Sequence, residues 1–470
     1  MSPTFFLPLV LLAGCLSGPG AAVGWTLVWA LFGAGAAVLV TAMGGNPISP
    51  AMASLPFLVW HALRVPAPPA DPHGAQPGFW LTVCVAWAVW GAVFLPSLLA
   101  GDVQVYVTQR AGGSRAGVVL MPLQPASGNL TQALYALANL AVFVAGRRLL
   151  ALPGGLARLR GAMGALAGLN VLAIVLNLGE TYLGLPGLLS LVRNGGYAVM
   201  VGGEVGGLMR ISGTFPESSA FVAFTMPVFA FHFALWLHGD RARWVGALAL
   251  ALGVTLAAST STTGTLALLA YLGGVAVLRA RQAASAPSAR LARALMRLSA
   301  ALLLVVGAVL LFAPAAAGKA AHYVDVVVGS KLSSSSGEER LAWMLQGLRN
   351  LRDTAGLGVG LGSARASSFL VVLLSNLGLV GTLTYAAFVV AVLRSAVAPG
   401  EAAQADARRI RLAAAHAFVA ALCPAMISGT VFERGPAFYL LAAAASLALA
   451  RPAAQAAARP LVPPLNLARA

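Results

Sequence analysis

Charge is scarce in this chain: Asp, Glu, Lys and Arg together make up 9% of 470 residues, and the acids number only 13. A soluble domain normally carries about a quarter of its residues charged, so an ordinary water-soluble fold is excluded. Cysteine is nearly absent. Cys15, Cys84 and Cys423 all fall in apolar stretches and none has metal-ligand spacing, which leaves no disulfide framework and no thiolate metal centre to read. The six histidines, His61, His73, His232, His238, His322 and His416, include no His-Glu-x-x-His and no i, i+4 pair. A metal centre is therefore not expected, and they read as solvated or helix-end groups. The glycine-rich run 356–362 lacks a following Gly-Lys-Ser/Thr, so it is a tight passage between elements and not a phosphate-cradling loop. Leu12-Ala-Gly-Cys15 matches a lipoprotein cleavage box, but no Lys or Arg precedes it, and the segment reads as a first membrane helix.

What is abundant is apolar sequence. Hydrophobic residues reach 59% and the mean hydropathy is +0.85. Apolar runs read as spans at 23–42, 79–99, 129–146, 162–180, 218–238, 244–258, 263–278, 298–313, 368–393, 410–428 and 436–450. Segments 4–17 and 50–63 are short and carry Pro8 and Pro56, so each either spans, tilts or dips into one leaflet. The expected fold is an all-α polytopic membrane protein of 12 or 13 helices, one transmembrane domain over residues 1–450, with a disordered tail at 451–470.

The net charge of +17 is a matter of topology. Arginines cluster in every second loop: at 64, at 147–160, at 241–243, at 279–297, at 394–411 and in the tail. That face holds 19 basic residues against Asp71, Asp240, Glu401 and Asp406, which makes it cytoplasmic together with the C-terminus. The opposite face is nearly balanced, so nucleic-acid binding has no support. This sidedness puts 100–128, 181–217 and the long stretch 314–367 outside the cytoplasm. A loop of the last length carries function or structure of its own. Within it, Leu341, Met344, Leu345, Leu348 and Leu351 recur at helical spacing beside Arg340, Arg349 and Arg352, as in an amphipathic helix on the outer interface, with the serines 333–336 as its cap region.

Ionisable groups at span mouths default to a functional reading. The outward set is Arg193, Arg210, Arg340, Arg349, Arg352 and Arg365. A guanidinium is permanently charged and grips phosphate oxygens in a two-pronged way, so the set suits a diphosphate head group held by a lipid tail. The alternative is pairing with Glu180, Glu204, Glu338, Glu339 and Asp353, or with anionic lipid. Glu217 either handles an acceptor proton or holds Arg210 in a salt bridge. Ser367 and Ser368 either bind sugar or phosphate or cap a helix, and Tyr323 and Trp343 either stack on sugars or anchor at the interface.

Arg210-Ile-Ser-Gly-Thr-Phe-Pro-Glu217-Ser-Ser resembles the Arg-x-x-Gly-x-Phe motif of the O-antigen ligase and Wzy-type polymerase superfamily. In order along the chain, Ser259-Thr-Ser-Thr-Thr-Gly264 stands where that family has a Ser-Arg-Gly turn, without its arginine. Gly337-Glu-Glu-Arg340-Leu-Ala-Trp343 is similar to its Arg-x-x-x-Trp segment, with the aromatic one position closer. Ser367-Ser368-x9-Gly378-Leu-Val-Gly381-Thr382 has the spacing of its His-Asn/Ser/Gln-x9-Gly-x-x-Gly-Thr-Thr motif. The resemblance covers about residues 130–430.

The resemblance implies a GT-C-like membrane glycosyltransferase with one large periplasmic loop, working in the bacterial inner membrane on undecaprenyl-diphosphate-linked oligosaccharide. It implies a glycan acceptor, no cofactor and no metal, and polysaccharide assembly or export proteins as partners. Arg210, Arg340 and Glu217 become the expected catalytic set, with Arg193, Arg349, Arg352, Arg365, Trp343, Ser367 and Ser368 binding substrate. Ser367 replaces the ligases' histidine, which favours a polymerase of repeat units over a ligase acting on lipid A-core. The rival from another class is a transporter or flippase for a lipid-linked sugar; the sequence shows no clear repeated halves for it, and its charges sit at span mouths.

Overall fold

A computed structural model of the chain describes residues 2–40, 46–66, 75–109, 117–185, 187–195, 204–205, 208–282, 335–397, 404–429, 432 and 434–447. The expected span 298–313, the whole of 314–334 and the 451–470 tail lie outside them, as do His73, His322 and Tyr323.

The described chain is mostly helical. Its helices are α1 (Phe6–Leu16), α2 (Pro19–Trp29), α3 (Pro50–Leu63), α4 (Ala75–Leu98), α5 (Ser127–Leu150), α6 (Gly155–Tyr182), α7 (Leu188–Val192), α8 (Ser218–Leu237), α9 (Arg243–Ala258) and α10 (Thr262–Gln282). They continue with α11 (Ser335–Asp353), α12 (Phe369–Val397), α13 (Ala405–Ser428) and α14 (Pro436–Ala445). Among the described residues, seven helices are long and apolar enough to cross a membrane: α4, α5, α6, α8, α10, α12 and α13. The apolar helices α1, α3, α9 and α14 are shorter.

Lipid offers no hydrophobic drive for helix association, so close packing must supply it. Of the seven long helices, α8 is the most enclosed and is apolar on every side, with Phe221, Phe229 and Phe231 fully buried. It packs on α13 and α9. α13 meets it with Ala413, Ala414, Ala417 and Ala420, all buried, and small side chains of this kind let helix backbones approach. Between α5 and α14, a Cβ on Gly146 would lie 2.8 Å from Leu440 Cδ2.

Two expectations need correction. The apolar run 23–42 is not one helix: α2 stops at Trp29, and the chain continues through a series of largely buried turns into strand β2 (Val38–Val40). Strand β2 pairs antiparallel with β1 (Ser2–Pro3) and β3 (Asn46–Ile48). The break is held by a distant segment: Gly33 lies against the Phe215 ring and Ala34 N–H donates to Thr214 C=O at 3.0 Å. The histidines are also not uniformly solvated. His61, His232 and His416 are enclosed, meeting Gly14 C=O at 3.2 Å, Val228 C=O at 2.8 Å and the Tyr271 hydroxyl at 2.9 Å.

The arginine-rich helix ends meet one another. Arg160 forms a bidentate pair with Asp240, and Arg279 lies 3.4 Å from the His238 ring nitrogens. At the other end lie a hairpin of β4 (Gln104–Gln109) and β5 (Gly117–Pro122), helix α11, and the short strands β6 (Glu204–Val205) and β7 (Leu208–Met209).

Candidate functional site

The Arg210 motif folds as a buried turn. Gly213 takes a positive φ of 53°, which a side chain would strain. Phe215 N–H closes the turn on Ser212 C=O at 2.9 Å. The turn's other amides, on Ser212 and Gly213, donate to Asn177 Oδ1 of α6 at 3.0 and 3.1 Å, and Arg193 donates to Gly213 C=O through Nε at 2.9 Å. Phe215 is buried against Phe224 and Phe221. Gly213 and Phe215 thus fix the loop that carries Arg210 at one end and Glu217, the N-terminal flank of α8, at the other. The Ser259–Gly264 turn is tied to the same place by the Ser218 hydroxyl, which donates to Ser259 C=O at 3.0 Å.

The glycine run 356–362 threads through a break in α12. Gly356, Gly358, Gly360 and Gly362 all have φ between 83° and 92°, and Gly378 opens the helix at φ 64°, ψ −163°. Opening a helix frees carbonyls that must find donors, since nothing else at this depth will satisfy them. Val359 and Gly360 N–H supply two of them, donating to Ser375 and Asn376 C=O at 2.8 and 3.0 Å. Trp87 Nε1 donates to Leu377 C=O at 2.7 Å. Asn129 and Asn376 pin the emerging strand: Asn129 Nδ2 donates to Leu361 C=O at 2.8 Å, and Asn376 bonds Ala364 through both N–H and C=O.

That passage delivers Arg365. Its main-chain N–H donates to Tyr106 C=O at 2.9 Å, its Nη1 to the Thr108 hydroxyl at 2.8 Å, and its guanidinium lies 5.6 Å from the Trp343 ring centre. Burial pulls its pKa down, and the charge of Glu217 opposes this. Glu217 is exposed and accepts from the Ser219 hydroxyl at 2.5 Å. The structure therefore brings Glu217 into the electrostatic range of Arg365. Among the described residues, no acceptor reaches the buried Nε of Arg210, the buried Nε of Arg365 or the buried hydroxyl of Ser367.

The remaining expected residues are distributed less tightly. Arg193 serves the Gly213 turn, and burial lowers its pKa, with Glu180 opposing. Arg340 and Arg349 are exposed on α11, and Arg340 is not among the described residues that line either cavity below. Arg352 is exposed and paired with Asp353 at 2.8 Å. Ser368 C=O accepts from Val372 N–H at 2.9 Å in the first turn of α12.

Two cavities meet at Arg365, Tyr106 and Thr108. The inner one, about 750 Å³, runs between the hairpin, the start of α5 and residues 361–365. The outer one, about 800 Å³, runs between the hairpin and the first turns of α11. Both have the size of small-molecule sites.

Sequence reading missed Arg434. Its Nη2 donates to Ala421 C=O at 3.3 Å, and its guanidinium stands 5.3 Å from the Phe369 ring, two residues past Ser367. Phe432, close to it in the chain, lines the inner cavity. The signal was present, because Arg434 is a rare cation between two apolar helices, α13 and α14. The hairpin was missed as well; its strands are short, and their contribution depends on pairing that no local pattern announces. No protein family matches the sequence, and neither does any curated protein.

Proposed function

We propose that this chain is a membrane glycosyltransferase that polymerises undecaprenyl-diphosphate-linked repeat units into a surface or exopolysaccharide on the periplasmic side of a bacterial inner membrane. The observation that supports this reading is that buried donors of three expected site residues, Arg210 Nε, Arg365 Nε and the Ser367 hydroxyl, have no acceptor among the described residues. A buried donor without an acceptor costs about 1–3 kcal/mol, and more when charged, so such a group calls for an explanation, and a bound oxyanion supplies one.

In the proposed reaction an acceptor hydroxyl attacks the anomeric carbon as the bond from that carbon to the diphosphate oxygen breaks. The diphosphate leaves with the electron pair. Its charge grows in the transition state, and fixed guanidinium groups stabilise it there more than in the ground state. The hydroxyl proton passes to Glu217 or through it to solvent. Arg340, exposed at the rim, meets the incoming head group. Ser367, in the place of the ligases' histidine, favours the polymerase over transfer to lipid A-core.

The test is the lipid-linked saccharide profile of a deletion strain complemented with the chain or its Arg210→Ala variant. Single repeat units stranded on the outer leaflet support polymerase loss. Units retained inside point to a flippase, and unchanged polymer with normal levels of the variant protein overturns the role of Arg210.

A further inference from the structure

The outer cavity is chemically unlike the inner one. The inner cavity is lined by uncharged polar groups, Thr131, Gln132, Ser363 and Asn376 among them, and among the described residues Arg365 is its one charged side chain. The outer cavity has an aromatic wall of Tyr106 and Trp343, whose ring centres are 6.4 Å apart, and two carboxylates, Glu338 and Glu339. Arg365 stands between them, donating to Thr108 on one side and lying over Trp343 on the other. Aromatic faces beside hydrogen-bonding groups suit the mixed apolar and hydroxylated surface of a sugar ring. Arg365 also lines this cavity, and against its single guanidinium the two carboxylates leave an excess of negative charge among the described lining residues.

We propose that the outer cleft between the hairpin and α11 is a saccharide subsite that selects by charge, accepting neutral and amine-bearing sugars and rejecting uronate-type sugars. Glu338 and Glu339 are its specificity determinants, and Trp343 with Tyr106 is its platform. The inference rests on the transferase reading for its place in a reaction: with diphosphate held near Arg365, the glycan beyond the first sugar extends along Trp343 towards the two glutamates. The binding claim itself needs no turnover.

The test uses the full chain in lipid nanodiscs and three hexasaccharides that differ in charge: cellohexaose, the glucosamine hexamer of chitosan, and hexagalacturonate. Binding is measured by calorimetry at low salt. The glucosamine hexamer should bind tightest and hexagalacturonate weakest, with steps of about three- to tenfold that shrink as salt is raised. Glu338→Gln with Glu339→Gln should leave cellohexaose affinity within about twofold and abolish the ranking. Trp343→Ala should weaken all three.

Hexagalacturonate binding as tightly as the glucosamine hexamer, a ranking that survives the double glutamine variant, or no binding of any hexamer each overturns the subsite. The two proposals separate cleanly. A chain that ranks the hexamers but polymerises nothing in the complementation assay loses the transferase reading and keeps the cleft. One that polymerises without ranking them loses only the cleft.

Discussion

Leu379 donates its N–H to Gly356 C=O at 2.8 Å, across the point where α12 opens at Gly378. That bond replaces one that a continuous helix would make within itself. The same exchange recurs at Val359 and Gly360, so the glycine passage and the broken helix are a single hydrogen-bonded unit. Its close approaches leave no room for side chains. A Cβ on Gly358 would lie 2.5 Å from Gly378 N, and one on Gly362 would lie 2.7 Å from Gly128 C=O.

Gly358→Ala and Gly378→Ala are therefore expected to destabilise the chain. A non-glycine residue in such a backbone conformation costs on the order of 1–3 kcal/mol, and the steric overlap adds to it. Thermal unfolding in detergent should show a clear fall in midpoint for both. Gly168→Ala, on α6 with nothing within 4 Å of a new Cβ, should show none; equal losses at all three positions would remove the special role of the passage.

Arg210→Ala and Arg365→Ala should each cut polymer formation by about 10²- to 10³-fold, the scale of losing one donor to a developing oxyanion. Arg352→Ala should change it by less than about threefold, because Arg352 makes an exposed ion pair with Asp353. Polymer length distributions at matched protein levels decide the matter.

Asn177→Ala removes the acceptor for the Ser212 and Gly213 amides. Two buried N–H groups lose their partner, so stability should fall by about 1–3 kcal/mol. Activity should fall further than stability explains, since Arg210 and Glu217 leave from the two ends of that turn. Full activity in a destabilised Asn177→Ala would show that the turn does not position them.

His238 gives a pH dependence. Burial first, then His416, Arg279 and Arg408, lower its pKa from 6.5 to about 3. The folded chain thus keeps this ring neutral where the unfolded chain protonates it. Stability contributed by this difference is full above pH 6.5 and declines as pH falls from there towards about 3. Thermal midpoints between pH 7.5 and 5 should drop less in His238→Gln than in the parent, and an identical slope in both would assign the dependence elsewhere.

The long helices were legible in the sequence because twenty apolar residues in a row have few other solutions in a bilayer. α8 and α12 appear nearly where their apolar runs predict. The run 23–42 misled for a physical reason: apolar composition reports burial, and residues 30–37 are largely buried as turns against the Phe215 loop. The site was partly legible. Arg210 and Arg365 stood out as rare charges, whereas Arg434 beside Phe369 needed the fold to bring two distant segments together.

Helix α11 turns its amides inward. Gln346 donates to Gln104 C=O at 2.9 Å and Asn350 lies 3.2 Å from Ser375 Oγ, while Leu341, Leu345 and Leu348 are exposed. A face of this kind needs a cover, and no described residue supplies one. Glu338, Glu339 and Trp343 of the same helix border the outer cleft, so whatever covers the leucines also stands beside its entrance.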